Sequence, residues 1–239
     1  MIEPTNVIVK PGVSGRTVLS NFDNPDPSKM ASELALLSIG DFEPLKFKIE
    51  CNQFMQEIAE FSNDWVDYLP RTDRHNNRKS LVLTNLPGKT HTDNPSSAQA
   101  SVAAGRIYIS ENEFSEKTVV YDKCQSLHSL LDEFSPLGRT FLIRADIGGY
   151  FVPHRDHPQM PRDCFRIAVF LNNCSPTDYD WISETDKKLP IEMGRAYYIN
   201  TRKTHRTISW VNDSIHLIIN VPFTTENVQK VLGSLKHGH

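Results

Sequence analysis

The sequence predicts a mainly β protein, and three observations carry that prediction. From Arg139 onward, short apolar runs bounded by turn residues follow one another without helical periodicity between them. That is the pattern of a sandwich or barrel, with the double-sheet jelly roll among the standard solutions. The 15 Pro and 11 Gly are spread along the chain rather than clustered, as many turns between short elements require. At 239 residues the chain suits one domain with extensions, because all-β folds reach that length around a single core. The expected division is an N-terminal elaboration over 1–135, a jelly-roll core over 136–222, and a C-terminal helix and tail over 223–239.

Residues 1–50 are punctuated by Pro, Asn and Asp, with brief apolar runs at 34–37 and 47–49, and this elaboration is assigned no definite form. From Asn52, a residue suited to capping a helix, apolar side chains fall at Phe54, Ile58, Phe61, Trp65 and Tyr68 until Pro70 stops the pattern. The alternating steps of four and three predict an amphipathic helix packed on a sheet. A strand is predicted over 80–84 and a polar loop over 89–99. Leu127, Leu130, Leu131 and Phe134 give a second short helix, closed off by Pro136 and Gly138. Strands are then predicted over 141–145, 165–171, 179–183, 196–199, 207–211 and 215–221. Val228, Val231, Leu232 and Leu235 suggest a short closing helix.

A formal charge of −3 and 23% charged residues leave no excess of Lys and Arg, and the isoelectric point is near 6.3. No broad electrostatic footprint for nucleic acid is present, so none is expected as a partner. A small-molecule or peptide substrate fits better. Cys51, Cys124, Cys164 and Cys174 form no CxxC pair and are expected to be reduced thiols. Residues 1–15 show no apolar stretch behind a basic one, and no run approaches the roughly 18 apolar residues of a membrane span. A cytoplasmic chain without a membrane segment is the expectation.

The chemistry is concentrated in Pro153-His154-Arg155-Asp156-His157 and in the polar turn that contains His205. Two imidazoles and one carboxylate are the set that binds non-haem Fe(II) and leaves the other half of the octahedron open. A lone His-x-Asp is a weak signal in a chain with nine His. Its context strengthens it: a Gly148-Gly149-Tyr150 turn precedes it, and Pro153 restricts the backbone before His154. His205 is the only His between His157 and His216; its bland alternative is a solvated turn imidazole.

Ordered stretches then carry a resemblance. They are Gly138-Arg139-Thr140-Phe141-Leu142-Ile143-Arg144, Gly148-Gly149-Tyr150-Phe151-Val152-Pro153-His154-Arg155-Asp156, and Phe165-Arg166-Ile167-Ala168-Val169-Phe170-Leu171-Asn172-Asn173. Met193-Gly194-Arg195-Ala196-Tyr197-Tyr198-Ile199-Asn200, His205, and Ser214-Ile215-His216-Leu217-Ile218-Ile219-Asn220 continue them, with a fainter echo at Asn76-Asn77-Arg78-Lys79-Ser80. The chain resembles the Fe(II)- and 2-oxoglutarate-dependent oxygenases, and within them the aspartyl/asparaginyl β-hydroxylase-like group that also contains free-proline hydroxylases. The resemblance implies a double-stranded β-helix, a cupin-like jelly roll, with flanking N-terminal helices and a short C-terminal one. It implies Fe(II) held by His154, Asp156 and His205, with 2-oxoglutarate as cosubstrate and O2 as oxidant. Succinate and CO2 would accompany hydroxylation of an unactivated C–H bond in an amino acid, peptide side chain or small metabolite. The carboxylate of Asp156, where related halogenases have Gly or Ala, leaves no site for chloride.

One departure stands out. Many members open their last long strand with an Arg that pairs with the distal carboxylate of 2-oxoglutarate, and here Ser214 stands there. Arg166 is the natural replacement, because an Arg fork holds a carboxylate through two parallel charge-assisted bonds. Arg144 is a second candidate on alternation grounds, and His216 shares a strand face with Ser214. Tyr150, Phe151, Trp181 and Tyr197 are candidate pocket walls with core packing as the alternative, and Arg155, Arg195, Arg202 and Arg206 are expected around the mouth. Two other functions fit a jelly roll with these ligands: a cupin-like metal enzyme without 2-oxoglutarate, and a binding protein without turnover.

Overall fold

The protein is described by a computed structural model over residues 27–68, 77–156, 163–184 and 186–236. Pro70, Asn76, His157 and the N-terminal stretch read for a leader lie outside the described residues. In chain order the elements begin with helix α1 (Pro27–Ser38), strand β1 (Phe42–Lys48), helix α2 (Cys51–Ile58) with a 3-10 turn behind it, and strands β2 (Val66–Asp67) and β3 (Arg78–Asn85). Helix α3 (Ser97–Ala103), strand β4 (Glu116–Lys117) and helices α4 (Val119–Lys123) and α5 (His128–Glu133) follow. The remainder is β5 (Thr140–Ala145), β6 (Tyr150–His154), β7 (Cys164–Asn172), β8 (Tyr179–Ser183), β9 (Arg195–Ile199), β10 (His205–Ser209), β11 (Ser214–Pro222) and α6 (Thr225–Leu232).

The topology is that of a jelly roll. Strands β5 to β11 alternate between two sheets: β5, β7, β9 and β11 belong to a large sheet of order β1-β9-β7-β11-β5-β3-β2, and β6, β8 and β10 to a small one of order β6-β10-β8. Every strand pairing among the described residues is antiparallel, as in β11 against β7 (Ile218↔Ala168) and β11 against β5 (Ile218↔Phe141). Alternation along each strand then divides the core in two. Phe141, Ile143, Ala168, Phe170, Tyr197 and Ile218 point between the sheets, where Tyr179 and Trp181 meet them. Their neighbours Leu142, Ile167, Val169, Leu217 and Ile219 point outward, under Phe54, Ile58, Leu127, Leu130 and Leu131 from the helical elements. A sheet covered on both faces explains why β7 and β11 read as almost continuous apolar runs rather than alternating ones.

Three predicted segments differ from their sequence expectations. The strand expected over 207–211 runs two residues earlier, His205–Ser209, so His205 opens a strand rather than sitting in a turn. The helix predicted through Tyr68 ends at Ile58, with a single 3-10 turn (Ala59–Phe61) after it. Ser62, Asn63 and Asp64 favour turns because their side chains compete for the backbone, and the Asp64 N–H donates to Phe61 O at 3.0 Å. The chain then pairs Val66 with Ser80 in a strand, so Trp65 and Tyr68 are buried, but not on a helix. The polar loop over 89–99 gives way to α3, capped by Ser96, whose Oγ accepts from the Gln99 N–H. No apolar stripe marked α3; its Val102 is 82% exposed.

All four cysteines are free thiols. No described helix is long and apolar enough to cross a membrane.

Candidate metal centre

Strand β6 was not predicted, and it is what assembles the site. Gly148 adopts φ +76°, and a Cβ on Gly149 would sit 2.8 Å from Asp146 O and 3.0 Å from Asn77 O. This tight glycine turn, which a side chain would obstruct, sends 150–154 across to the small sheet. There β6 runs antiparallel to β10 with His154 directly opposite His205. Asp156 lies just past the end of β6, and its backbone N–H donates to Thr201 O at 2.9 Å.

The three side chains converge, each offering one ligand atom, and these atoms all lie within 4.8 Å of one another. His154 Nε2 is 3.6 Å from Asp156 Oδ1, and His205 Nε2 is 3.6 Å from Asp156 Oδ2. His154 Nδ1 is 2.8 Å from Val152 O and His205 Nδ1 is 3.1 Å from Lys203 O. A carbonyl only accepts, so each Nδ1 carries the proton and each Nε2 turns its lone pair toward the carboxylate. Aromatic faces fix the ring planes: Trp181 stacks on His205 at 5.2 Å and 6°, and Phe151 on His154 at 4.5 Å and 27°. Burial lowers the His205 pKa to about 4 against the pull of Asp156, which keeps the imidazole neutral and able to ligate.

This donor set fits a divalent metal. The three ligand atoms lie within 4.8 Å of one another, and two imidazole nitrogens with one carboxylate oxygen are a donor set that divalent first-row metals accept. Arg166 completes the carboxylate: its Nη1 contacts Asp156 Oδ2, and its Nε donates to Asn220 Oδ1 at 3.0 Å.

The donors line a cavity of about 420 Å³ between the two sheets. Arg166 and His216, both named from sequence, line it as well. His216 is fully buried among Phe170, Tyr179 and Trp181, and burial, with the Arg78 charge acting the same way, lowers its pKa to about 3.

The structure does not bring Arg144 or Ser214 to the cavity. Arg144 alternates to the opposite face of β5 from Ile143 and pairs with Asp213 at 2.8 Å. Ser214 is buried at the far end of β11, beside Ser209 Oγ at 2.7 Å and Asn173 O at 2.6 Å. The four arginines expected at the mouth are engaged with acids elsewhere: Arg155 with Glu184, Arg195 with Glu192, Arg202 with Glu33 and Arg206 with Asp186. Of the aromatic candidates, Phe151 and Trp181 line the cavity. Tyr150 is 39% exposed, and Tyr197 packs in the core with its hydroxyl donating to Pro190 O.

Among the charged residues of the cavity, Arg78 and Arg139 were not named as site residues from sequence. Arg78 stacks on Phe151 at 3.8 Å, and buried Arg139 pairs with Glu111 and donates to Pro95 O at 2.7 Å. Alternation was the available signal: Arg78 shares a face of β3 with Val82, and Arg139 has the parity of Phe141 and Ile143.

No protein-family model matches the chain, and no curated protein matches it. Several solved structures are similar. One is a prolyl hydroxylase from Trichoplax adhaerens in complex with a hypoxia inducible factor peptide fragment (10% identity, 84% of this chain and 94% of that one, TM-score 0.45). Another is a Pseudomonas putida prolyl-4-hydroxylase (11%, 82% and 98%, TM-score 0.40). A third is HygX from Streptomyces hygroscopicus with nickel and 2-oxoglutarate bound (10%, 79% and 85%, TM-score 0.45).

Proposed function

We propose that this chain is an Fe(II)- and 2-oxoglutarate-dependent oxygenase that hydroxylates an unactivated C–H bond of an amino acid, peptide side chain or small metabolite. The observation that carries the reading is the convergence of His154, Asp156 and His205 on a cavity that also holds the guanidinium groups of Arg78, Arg139 and Arg166. When bound, iron would supply O2 activation coupled to oxidative decarboxylation of the cosubstrate.

The chain's own residues do the rest. His154 and His205 would hold the ion through Nε2, each kept in one tautomer by a backbone carbonyl. Asp156 would hold the ion through its carboxylate, whose Oδ2 is also contacted by Arg166. Arg166 has five N–H donors, of which contacts to Asp156 and Asn220 use two. The remaining edge suits the distal carboxylate of 2-oxoglutarate, with Arg78 and Arg139 adding positive charge to the same cavity. His216, kept neutral by burial, is a hydrogen-bonding wall rather than a second cation. Phe151, Trp181 and Ile218 line the apolar part, which keeps water from a reactive centre.

The test is succinate production from 2-oxoglutarate with Fe(II) in air, across a panel of amino acids and peptides, beside Asp156→Ala. Substrate-stimulated succinate that the variant lacks is the expected result. Equal background in both proteins would overturn the reading.

A further inference from the structure

The N-terminal elements, which the sequence left without a role, grip from behind the turn whose carbonyls meet two of the ligands. Residues 200–204 connect β9 to β10, and two inward carbonyls of this turn hold the metal site. Thr201 O accepts the Asp156 N–H at 2.9 Å, and Lys203 O accepts His205 Nδ1 at 3.1 Å. On the other side the same turn is tied to the chain's first elements at three points. Arg202 Nη1 meets Glu33 Oε1 of α1 at 3.1 Å. Lys203 Nζ pairs with Asp41 just ahead of β1. The Asn200 N–H donates to Asp41 O at 2.7 Å. Glu33 is 0% exposed and the Asp41 side chain 9%, so the acid of each pair is withdrawn from water although its cationic partner is only partly covered.

A polar turn of this composition, Asn-Thr-Arg-Lys-Thr, has no apolar anchor of its own. Metal affinity requires its carbonyls to be placed within about 0.5 Å. We propose that Glu33 and Asp41 are positioning residues of the metal centre: through Arg202 and Lys203 they fix the turn whose carbonyls orient Asp156 and His205, and so set metal affinity. The inference rests on the metal-centre reading above. It gives α1 and the approach to β1 a function beyond packing and sheet pairing.

The experiment titrates Co(II) into the metal-free full chain, following tryptophan fluorescence, for which Trp181 stacked on His205 is the built-in reporter. Thermal unfolding of each metal-free protein is measured in parallel. Glu33→Gln and Asp41→Asn are expected to weaken Co(II) binding about 10-fold, the lower end of what loss of outer-shell partners costs. Lys203→Met should do the same, and Lys203→Arg, which keeps the pair with Asp41, should stay within about 2-fold of the parent, a span of ~0.4 kcal/mol. A purely structural role would lower the melting temperature while leaving the Kd of the folded protein unchanged. That pattern overturns the proposal. If Glu33→Gln does not fold, the contrast between Lys203→Met and Lys203→Arg decides, since Lys203 is the more exposed partner at 39%. If the parent chain binds no Co(II), the metal-centre reading itself fails; if parent and folded variants bind equally, only the positioning role does.

Discussion

Arg166 is bonded to Asp156, so the residue expected from sequence to hold the cosubstrate also contacts the carboxylate of the candidate metal site. Nε of the same guanidinium is fixed by Asn220 at 3.0 Å, and Asn220 Nδ2 in turn donates to Arg139 O. Arg166 thus joins β7 to the residue beyond β6 and to β11. Lysine cannot reproduce this fork. A hydrogen bond to a charged group contributes ~1.5–3 kcal/mol, so Arg166→Lys should lower kcat/KM for 2-oxoglutarate by about 10- to 100-fold. Steady-state kinetics check this; an unchanged value would remove Arg166 from both roles.

Asp156→Ala should separate metal binding from folding. The variant is expected to bind no Co(II) and to show no shift in melting temperature when a chelator is added, whereas the parent melts lower after chelation. Without metal the variant leaves the Arg166 side chain, 11% exposed, facing no carboxylate. That should cost ~3 kcal/mol in urea unfolding. A metal-free variant as stable as the parent would show that the pair contributes nothing.

Stability should fall on the acid side because of His216. The folded pKa is about 3 and the unfolded one ~6.5. Above pH 6.5 both states are neutral and the group contributes no pH dependence. As pH drops below that value the unfolded chain takes up a proton that the folded chain refuses, and stability declines until the folded pKa is reached. The slope approaches ~1.4 kcal/mol per pH unit for each such group, and in the metal-free protein His205 acts the same way down to about 4. His216→Asn should remove one group's share of that slope between pH 6 and 4.5, measured by urea unfolding of metal-free protein. An unaltered slope would show that His216 protonates freely in the folded state.

Glu111→Gln tests the buried partner of the cavity residue Arg139. Glu111 pairs with Arg139 and accepts the Ser97 hydroxyl at 3.0 Å, with side-chain exposures of 6% for Arg139 and 1% for Glu111. Removing one partner of such a pair costs ~3–5 kcal/mol. Because Arg139 lines the cavity, the KM for 2-oxoglutarate should rise as well; a loss of stability with no change in KM would confine the pair to a structural role.

The strands of the roll were legible because each needs only a short apolar run between turn residues. The predicted 179–183 coincides with β8, and β7 and β11 extend theirs by one residue or so at each end. Strand β6 was not legible: its five residues include Pro153, and the small sheet leaves three of them exposed, so no apolar pattern marks it. The 52–68 periodicity correctly marked buried residues but misled on helix length, because a buried stripe can continue through a turn into a strand. His154, Asp156 and His205 were nameable from residue type, since few side chains can ligate a metal and their order along the chain is visible. Their convergence was decided by antiparallel pairing of β6 with β10, a long-range contact that no local pattern encodes. The same holds for the arginines. Sequence favours Arg166 and sets Arg144, Arg155, Arg195, Arg202 and Arg206 ahead of Arg78 and Arg139, because a guanidinium's role depends on which acid lies across from it. Only the packing of two sheets decides which charges enter the cavity and which are spent on Asp213, Glu184, Glu192, Glu33 and Asp186 outside it.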